Sequence, residues 1–591
     1  MAGRTKAHPM ISANRIVHDL LIMLMTLPLL LAAGEEASAQ SGRKETPRRE
    51  STRRHEPNRA PTKARRPEPR RPTPPSPARD LPPDGSEEPY ADLAAEVVRD
   101  VSSPGGNIRR SLYAPTIPLT ELQLTQLAAY RREGSRIPPR PYAAVADHVI
   151  NPAPIYGEAR LGLYSTADLQ AGIAGRSWPY DYLVGLRALT TEGSSDNARR
   201  SDFSVDASGG YVINNNAWIF SGGHMGAEVS YGRRSLALYA LATPPDRAIQ
   251  EWGVAMTGAN TYLDDEFALQ GRYRGLTLDD DDGANAREHA LEGWVTVGAP
   301  WMGFVLEGDA MLSLASMSGA PIPFTRVSGG LSLRRKVVTV HAGGALSTGE
   351  NSDGSSVTRI TPTARATITP TQGISCAAEA TGGIGQWKSA DLLAANPYAL
   401  MSSGVVARHE DQKIGYRGEI RIDPTEWFGL HLSVSHAPYA SYVGYGSSEN
   451  GRFRPLFQET TIDQVTGETM IRFDGNNLFT CLFRFAETTL DASNRPLPFT
   501  PRWFIEAIHS ARIAPLPLSI IVGVRYIGTR IDGSGETMKD VVLLSMEGRY
   551  RLNALLEATA IITNPLDTRY QIWQGYDERG IYAALGLALR H

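Results

Sequence analysis

Phe203-Ser-Val-Asp-Ala-Ser208 alternates apolar and polar side chains one by one. Only an extended strand repeats every two residues, so Phe203, Val205 and Ala207 fall on one face and Ser204, Asp206 and Ser208 on the other. The same alternation returns at Glu158–Tyr164, Tyr182–Ala188, Glu266–Tyr273, Glu292–Val297, Gly418–Asp423, Thr480–Phe485 and Tyr582–Arg590. Most of these segments run to about eight to twelve residues, long enough for a tilted strand to cross a bilayer.

A soluble β-sandwich alternates as well, and the connections distinguish the two. Short links at 299–301, 334–336, 370–373, 423–426, 514–517 and 552–553 are interleaved with long ones at 277–286, 315–325, 346–357, 385–413, 437–456, 489–500, 530–539 and 564–578. Tight turns at one end and longer loops at the other are the habit of a transmembrane barrel, with the long loops facing the medium. A sheet of so many apolar strands would also aggregate if its edges stayed open, and closure removes them. The expectation is an all-β fold: a large transmembrane antiparallel β-barrel of about 20–24 strands over 155–591. Aromatic pairs near strand ends (Tyr156/Tyr164, Trp178/Tyr180, Trp294/Trp301, Trp427/Phe428, Trp503/Phe504, Tyr570/Trp573) are read as its interfacial girdles.

Upstream, Arg4, Lys6 and Arg15 precede an apolar run from Leu20 to Ala33 and a small-residue site ending at Ala39. This pattern predicts a signal peptide over 1–39, its apolar core being too short to span as a helix. Residues 41–80 hold thirteen Arg/Lys against five Asp/Glu, although the chain's net charge is only −3. With proline throughout and almost nothing apolar to bury, 40–88 is expected to be a disordered basic Pro/Arg-rich linker. A junction over 89–154 follows, with one helical stretch at Leu119–Tyr130, and is a candidate small plug.

The last strands resemble those of TonB-dependent receptors: Val541–Tyr550, then Asn564-Pro-Leu566 and Tyr570, then a Gly/Tyr-rich stretch from Trp573 to Gly580, then Ile581–Leu589. The resemblance implies a barrel in the outer membrane and transport or receptor activity. It covers the last fifty to ninety residues or so. The family's globular plug and energy-coupling box are not found ahead of Ile155, and Arg590-His591 stand where an aromatic terminus is common. The plug candidates are therefore 89–154 or a folded loop such as 385–413, since a barrel of about twenty-two strands is too wide to be filled by its own wall.

Enzyme signatures are missing. There is no phosphate-binding loop, no His-Glu-x-x-His and no Gly-x-Ser-x-Gly, so no catalytic, cofactor-binding or metal-binding residues are assigned. His341, His431 and His436 are expected to be lumen-facing polar residues, and Cys376 and Cys481 isolated apolar side chains. Asp279-Asp-Asp-Asp282 could offer hard-cation ligands, but it lacks EF-hand spacing and is read as a solvated loop. The expected partners are outer-membrane lipids, a hydrophilic solute and a periplasmic or cell-wall component on 40–88. Nucleic acid is not expected, because the basic segment lacks interleaved aromatics. The alternative to transport is an outer-membrane anchor docking another protein.

Overall fold

The computed structural model describes residues 155–590, with short gaps at 178–179, 196, 214–222, 242–243, 263–264, 284, 318–319, 352–354, 372, 402–408, 426, 475 and 514. The segments expected to be signal peptide (1–39), linker (40–88) and junction (89–154) lie outside the described residues.

From Ile155–Gly162 to Tyr582–Arg590 the chain builds one antiparallel sheet of twenty-three strands, one of them the two-residue arm Arg495–Pro496. The other twenty-two close into a barrel. Neighbours in sequence pair in order, and the first strand pairs with the last from Tyr156 opposite Arg590 to Gly162 opposite Ala584. Closure leaves no edge with unsatisfied backbone groups, the condition for a sheet to sit in hydrocarbon. No helix among the described residues is long and apolar enough to cross a membrane.

Alternation settles which side chains face out. In Arg200–Val212 and its neighbour His224–Ala237, Phe203, Met225, Val229 and Tyr231 are exposed, while Asp202, Glu228 and Arg234 occupy the opposite face. The outward set is apolar because lipid surrounds it, and the inward set is polar because water and other charges do. Trp301, Trp427 and Trp503 lie exposed at strand ends, as girdle residues should. Tyr156 and Phe504 are buried on inward rows and Trp573 is buried in an external connection, so three of the expected girdle positions serve the interior instead.

The connections also differ from expectation. Strands run on through much of 315–325 and 437–456, leaving only 318–319 between Phe304–Met317 and Ala320–Arg334, and 450–451 between Phe428–Glu449 and Arg452–Asp474. Gly, Ser and Pro in these stretches resemble loop composition, yet their backbone groups pair with the next strand. The long connections that remain, 387–408, 491–502, 528–540 and 564–581, all open at one end of the barrel.

The candidate functional site: the lumen and its outer closure

Ion pairs within and between strands line the inner wall. Arg160 pairs with Glu158 and lies 3.8 Å from Glu547, while Arg549 lies 2.6 Å from Glu547 and 3.7 Å from Glu158. This quartet straddles the closing seam. Arg160 shares a cross-strand row with Gly586, Thr559 and Arg549, and the missing side chain at Gly586 leaves room for the Arg160 stem. Elsewhere on the wall Arg187 faces Asp168 at 3.9 Å, Arg334 faces Glu307 at 2.9 Å and Arg525 pairs with Glu506. Each of these charges is set against a partner of opposite sign, which offsets the cost of desolvation. Over these stretches the wall is polar and ion-paired.

At the end bearing the long connections the inward positions change character. Leu236, Ile249, Leu276, Leu278 and Ala286 are all buried there, although their rows point into the barrel. Apolar side chains on an inner wall imply something packed against them. That partner is 387–401. Its helix Ser389–Ala395 buries Ala390, Leu392, Leu393 and Ala395 in the same cluster, joined by Trp387, Ala399 and Met401. Within 385–413, read from the sequence as a candidate plug, residues 387–401 are the part that packs on the inner wall.

Polar contacts fix this cap to the wall. Lys388 pairs with Glu292, the Ser389 amide donates to Glu288 at 2.6 Å, and Arg274 bridges Asp391 and Glu251 at 3.1 Å each. Glu292 lies seven residues inside the strand Asn285–Trp301, about 23 Å along it at 3.3 Å per residue. Above the helix, Arg247 donates to both oxygens of Asp280 at 2.7 Å and to the carbonyls of Pro397 and Ala399 at 3.0 and 2.8 Å. Arg452 joins the same Asp280 at 2.9 Å and reaches Asp282 at 2.7 Å. Residues 398–400 bond to Phe453 as a short parallel bridge.

A second connection packs into the same cluster. The hairpin formed by Gln571–Trp573 and Tyr576–Asp577 places Trp573 against Tyr445, Phe453 and Phe499, with ring centroids 5.2, 5.1 and 4.9 Å apart. Tyr576 stacks on Tyr398 and donates to the Gly451 carbonyl. This aromatic packing joins the hairpin to the cap and to the wall strands in one buried cluster.

The individual candidates now have places. Asp279–Asp282 is not simply a solvated loop: Asp279 and Asp281 face solvent, but Asp280 and Asp282 bind Arg247 and Arg452. Two of the four carboxylates a calcium site would draw on are thereby taken by arginines. His341 lies inward, 3.1 Å from Glu307, and His431 inward, 3.3 Å from Glu468. His436, five residues further along the same strand as His431, falls on the outer face instead, opposite Tyr416 and 2.7 Å from Asp463. Cys376 and Cys481 are free, half-buried strand residues.

No protein-family model and no curated protein matches the sequence. Solved structures do match. The FrpB iron transporter from Neisseria meningitidis superposes with a TM-score of 0.59 at 9% identity, covering 74% of this chain and 81% of that one. The ferric-catecholate import receptor Fiu from E. coli K12 gives 0.57 at 10% identity over 75% and 82%. The copper transporter OprC gives 0.57 at 11% over 74% and 80%. The chain has the barrel fold of the TonB-dependent receptors. A closed barrel of this kind, apolar outside and charged within, is an outer-membrane protein.

Proposed function

We propose that this TonB-dependent-receptor-type barrel is an outer-membrane transporter or receptor for a hydrophilic solute, held shut at its outer mouth by the 387–401 cap. The observation that carries this reading is Arg247, which ties a wall carboxylate to two cap carbonyls in a fully buried site. A barrel that served only as an anchor would have no need for a separate folded segment closing a polar lumen. The iron, ferric-catecholate and copper cargoes named for the similar structures support a small solute. The ion-paired wall beneath the cap suits a polar one, offering charges of both signs to replace its hydration.

Planar-bilayer recording of the purified full chain tests this, alongside variants lacking 387–401, lacking 89–154, or lacking both. The expected result is a closed wild type and a wide, stable conductance once the occluding segments are gone. No conductance from the doubly deleted but folded barrel would overturn the transport reading and favour the anchor.

A further inference from the structure

The outer wall carries a layered surface on five consecutive strands, Arg200–Val212 to Asn285–Trp301. Register places Arg233, Gln250, Thr277 and Arg287 in one outward row, next to the end with the long connections. The row beneath it is Tyr231, Trp252, Gly275 and His289, and the third is Val229, Val254, Tyr273 and Leu291. Across these three rows, toward the membrane centre, the surface passes from guanidinium and amide to mainly aromatic to mainly aliphatic.

The middle layer is preorganised. The Trp252 ring lies flat over Gly275, where an added Cβ would come within 2.3 Å of it, and Trp252 packs on Tyr273 with ring centroids 4.9 Å apart. The Tyr273 hydroxyl meets His289 Nδ1 at 3.0 Å. At the edge of this surface a groove of about 500 Å³ is lined by Ser201, Phe203, Tyr231, Arg233 and Ser235, all from outward positions.

Charge singles this sector out. Arg234 points inward and pairs with Asp202 at 3.3 Å, whereas neither Arg233 nor Arg287 has an ion pair among the described residues. The one carboxylate on the same face of these strands near the row is Asp279, one row further out. In another sector, the outward row of Tyr416, His436, Asp463 and Glu487 is acidic. Two arginines without ion pairs, their strands about 14 Å apart over three strand spacings and their row just outside the aromatic one, call for an anion there.

We propose that this face binds a phosphorylated glycolipid of the outer leaflet. Its phosphates meet Arg233 and Arg287, its sugar hydroxyls meet Gln250 and Thr277, and its acyl chains lie on the aromatic and aliphatic rows. The lipid's two-part chemistry matches the layering, and a free anion would have no use for the lower rows.

The test is retention of lipopolysaccharide by the full chain extracted from outer membranes in mild detergent, read by native mass spectrometry. Wild type is expected to keep bound glycolipid through washing with millimolar inorganic phosphate. R233Q/R287Q is expected to lose it by about tenfold or more while still migrating as a heat-modifiable band. Equal retention by that folded variant, or displacement by inorganic phosphate alone, overturns the proposal. Should the variant not assemble, photo-crosslinking of wild type with an acyl-diazirine glycolipid decides. Labels on Val229, Val254 or Leu291 uphold the site, and labels confined to other sectors refute it.

Discussion

Arg247 and Asp280 form a two-pronged ion pair, 2.7 Å at each prong, with neither side chain exposed. The strands that carry them are adjacent and in register, so the wall alone positions the pair. The remaining guanidinium nitrogen is free to hold the cap. Arg247→Ala leaves Asp280 buried with Arg452 as its remaining cation, a change that costs about 3–5 kcal/mol when a buried partner is removed. The expected outcome is a barrel that still assembles but whose 387–408 connection is cut by external protease far faster than in wild type. Replacing both partners together, Arg247→Met with Asp280→Leu, should cost less than the single change. Equal protease resistance of R247A and wild type would show that the pair does not hold the cap.

Closure of the barrel depends on a small residue at the seam. A Cβ at Gly586 would lie 2.5 Å from the Ala159 carbonyl oxygen and 2.7 Å from Arg160 Cγ. Neither a backbone carbonyl nor the root of a buried arginine can move aside cheaply, so Gly586→Val forces the first and last strands apart. Overpacking of this sort costs about 1–3 kcal/mol or more. Gel migration without heating should show a loss of the compact form in G586V, whereas Gly271→Ala, with nothing within 4 Å of its new Cβ, should migrate as wild type.

How much of this was legible in the sequence follows from what each residue faces. Phe203–Ser208 was readable because every side chain there meets either lipid or lumen, and those demands differ at each step. Strand ends at 437–456 were not, because beyond the membrane the outward face no longer needs to be apolar while the backbone keeps pairing. The cap was visible only as a long connection: Ser389–Ala395 is seven residues, and its apolar face makes sense only against Ile249, Leu276 and Leu278. A signal did exist, since those residues break the polar rule for inward positions. Asp280 read as solvated because its partners stand 33 and 172 residues away in sequence.

The cap's own core should behave as a local unit. Phe453 is fully buried among Phe499, Trp573 and Tyr576, and its backbone pairs with Tyr398 and Leu400. Phe453→Ala opens a cavity worth about 3–5 kcal/mol. That loss falls on the closure rather than on the twenty-two-strand wall, because local opening draws on the least stable element first. Hydrogen exchange should therefore quicken at 389–401 and 571–577 in F453A while the strand amides stay protected. Uniform quickening over the whole barrel would mean that cap and wall unfold together.

Acidity should also act on the closure, through Glu578 in the connection 564–581. Burial pushes its carboxyl up to about 7, against the pull of Arg200, Arg579 and Arg530 in the other direction. The closed form therefore holds a proton that an opened, solvated Glu578 releases above its ordinary value of 4.5. The stabilisation is complete below that value and is lost as pH rises through about 7, so the closure should be tightest in mild acid and loosen toward alkaline pH. Protease cleavage of the 564–581 connection in intact outer membranes, followed from pH 5 to 8, should accelerate with pH in wild type, and Glu578→Gln should flatten the profile at the slow, acid-side rate. A wild-type profile already flat over that range, or an E578Q profile as steep as wild type, would remove Glu578 as the titrating group.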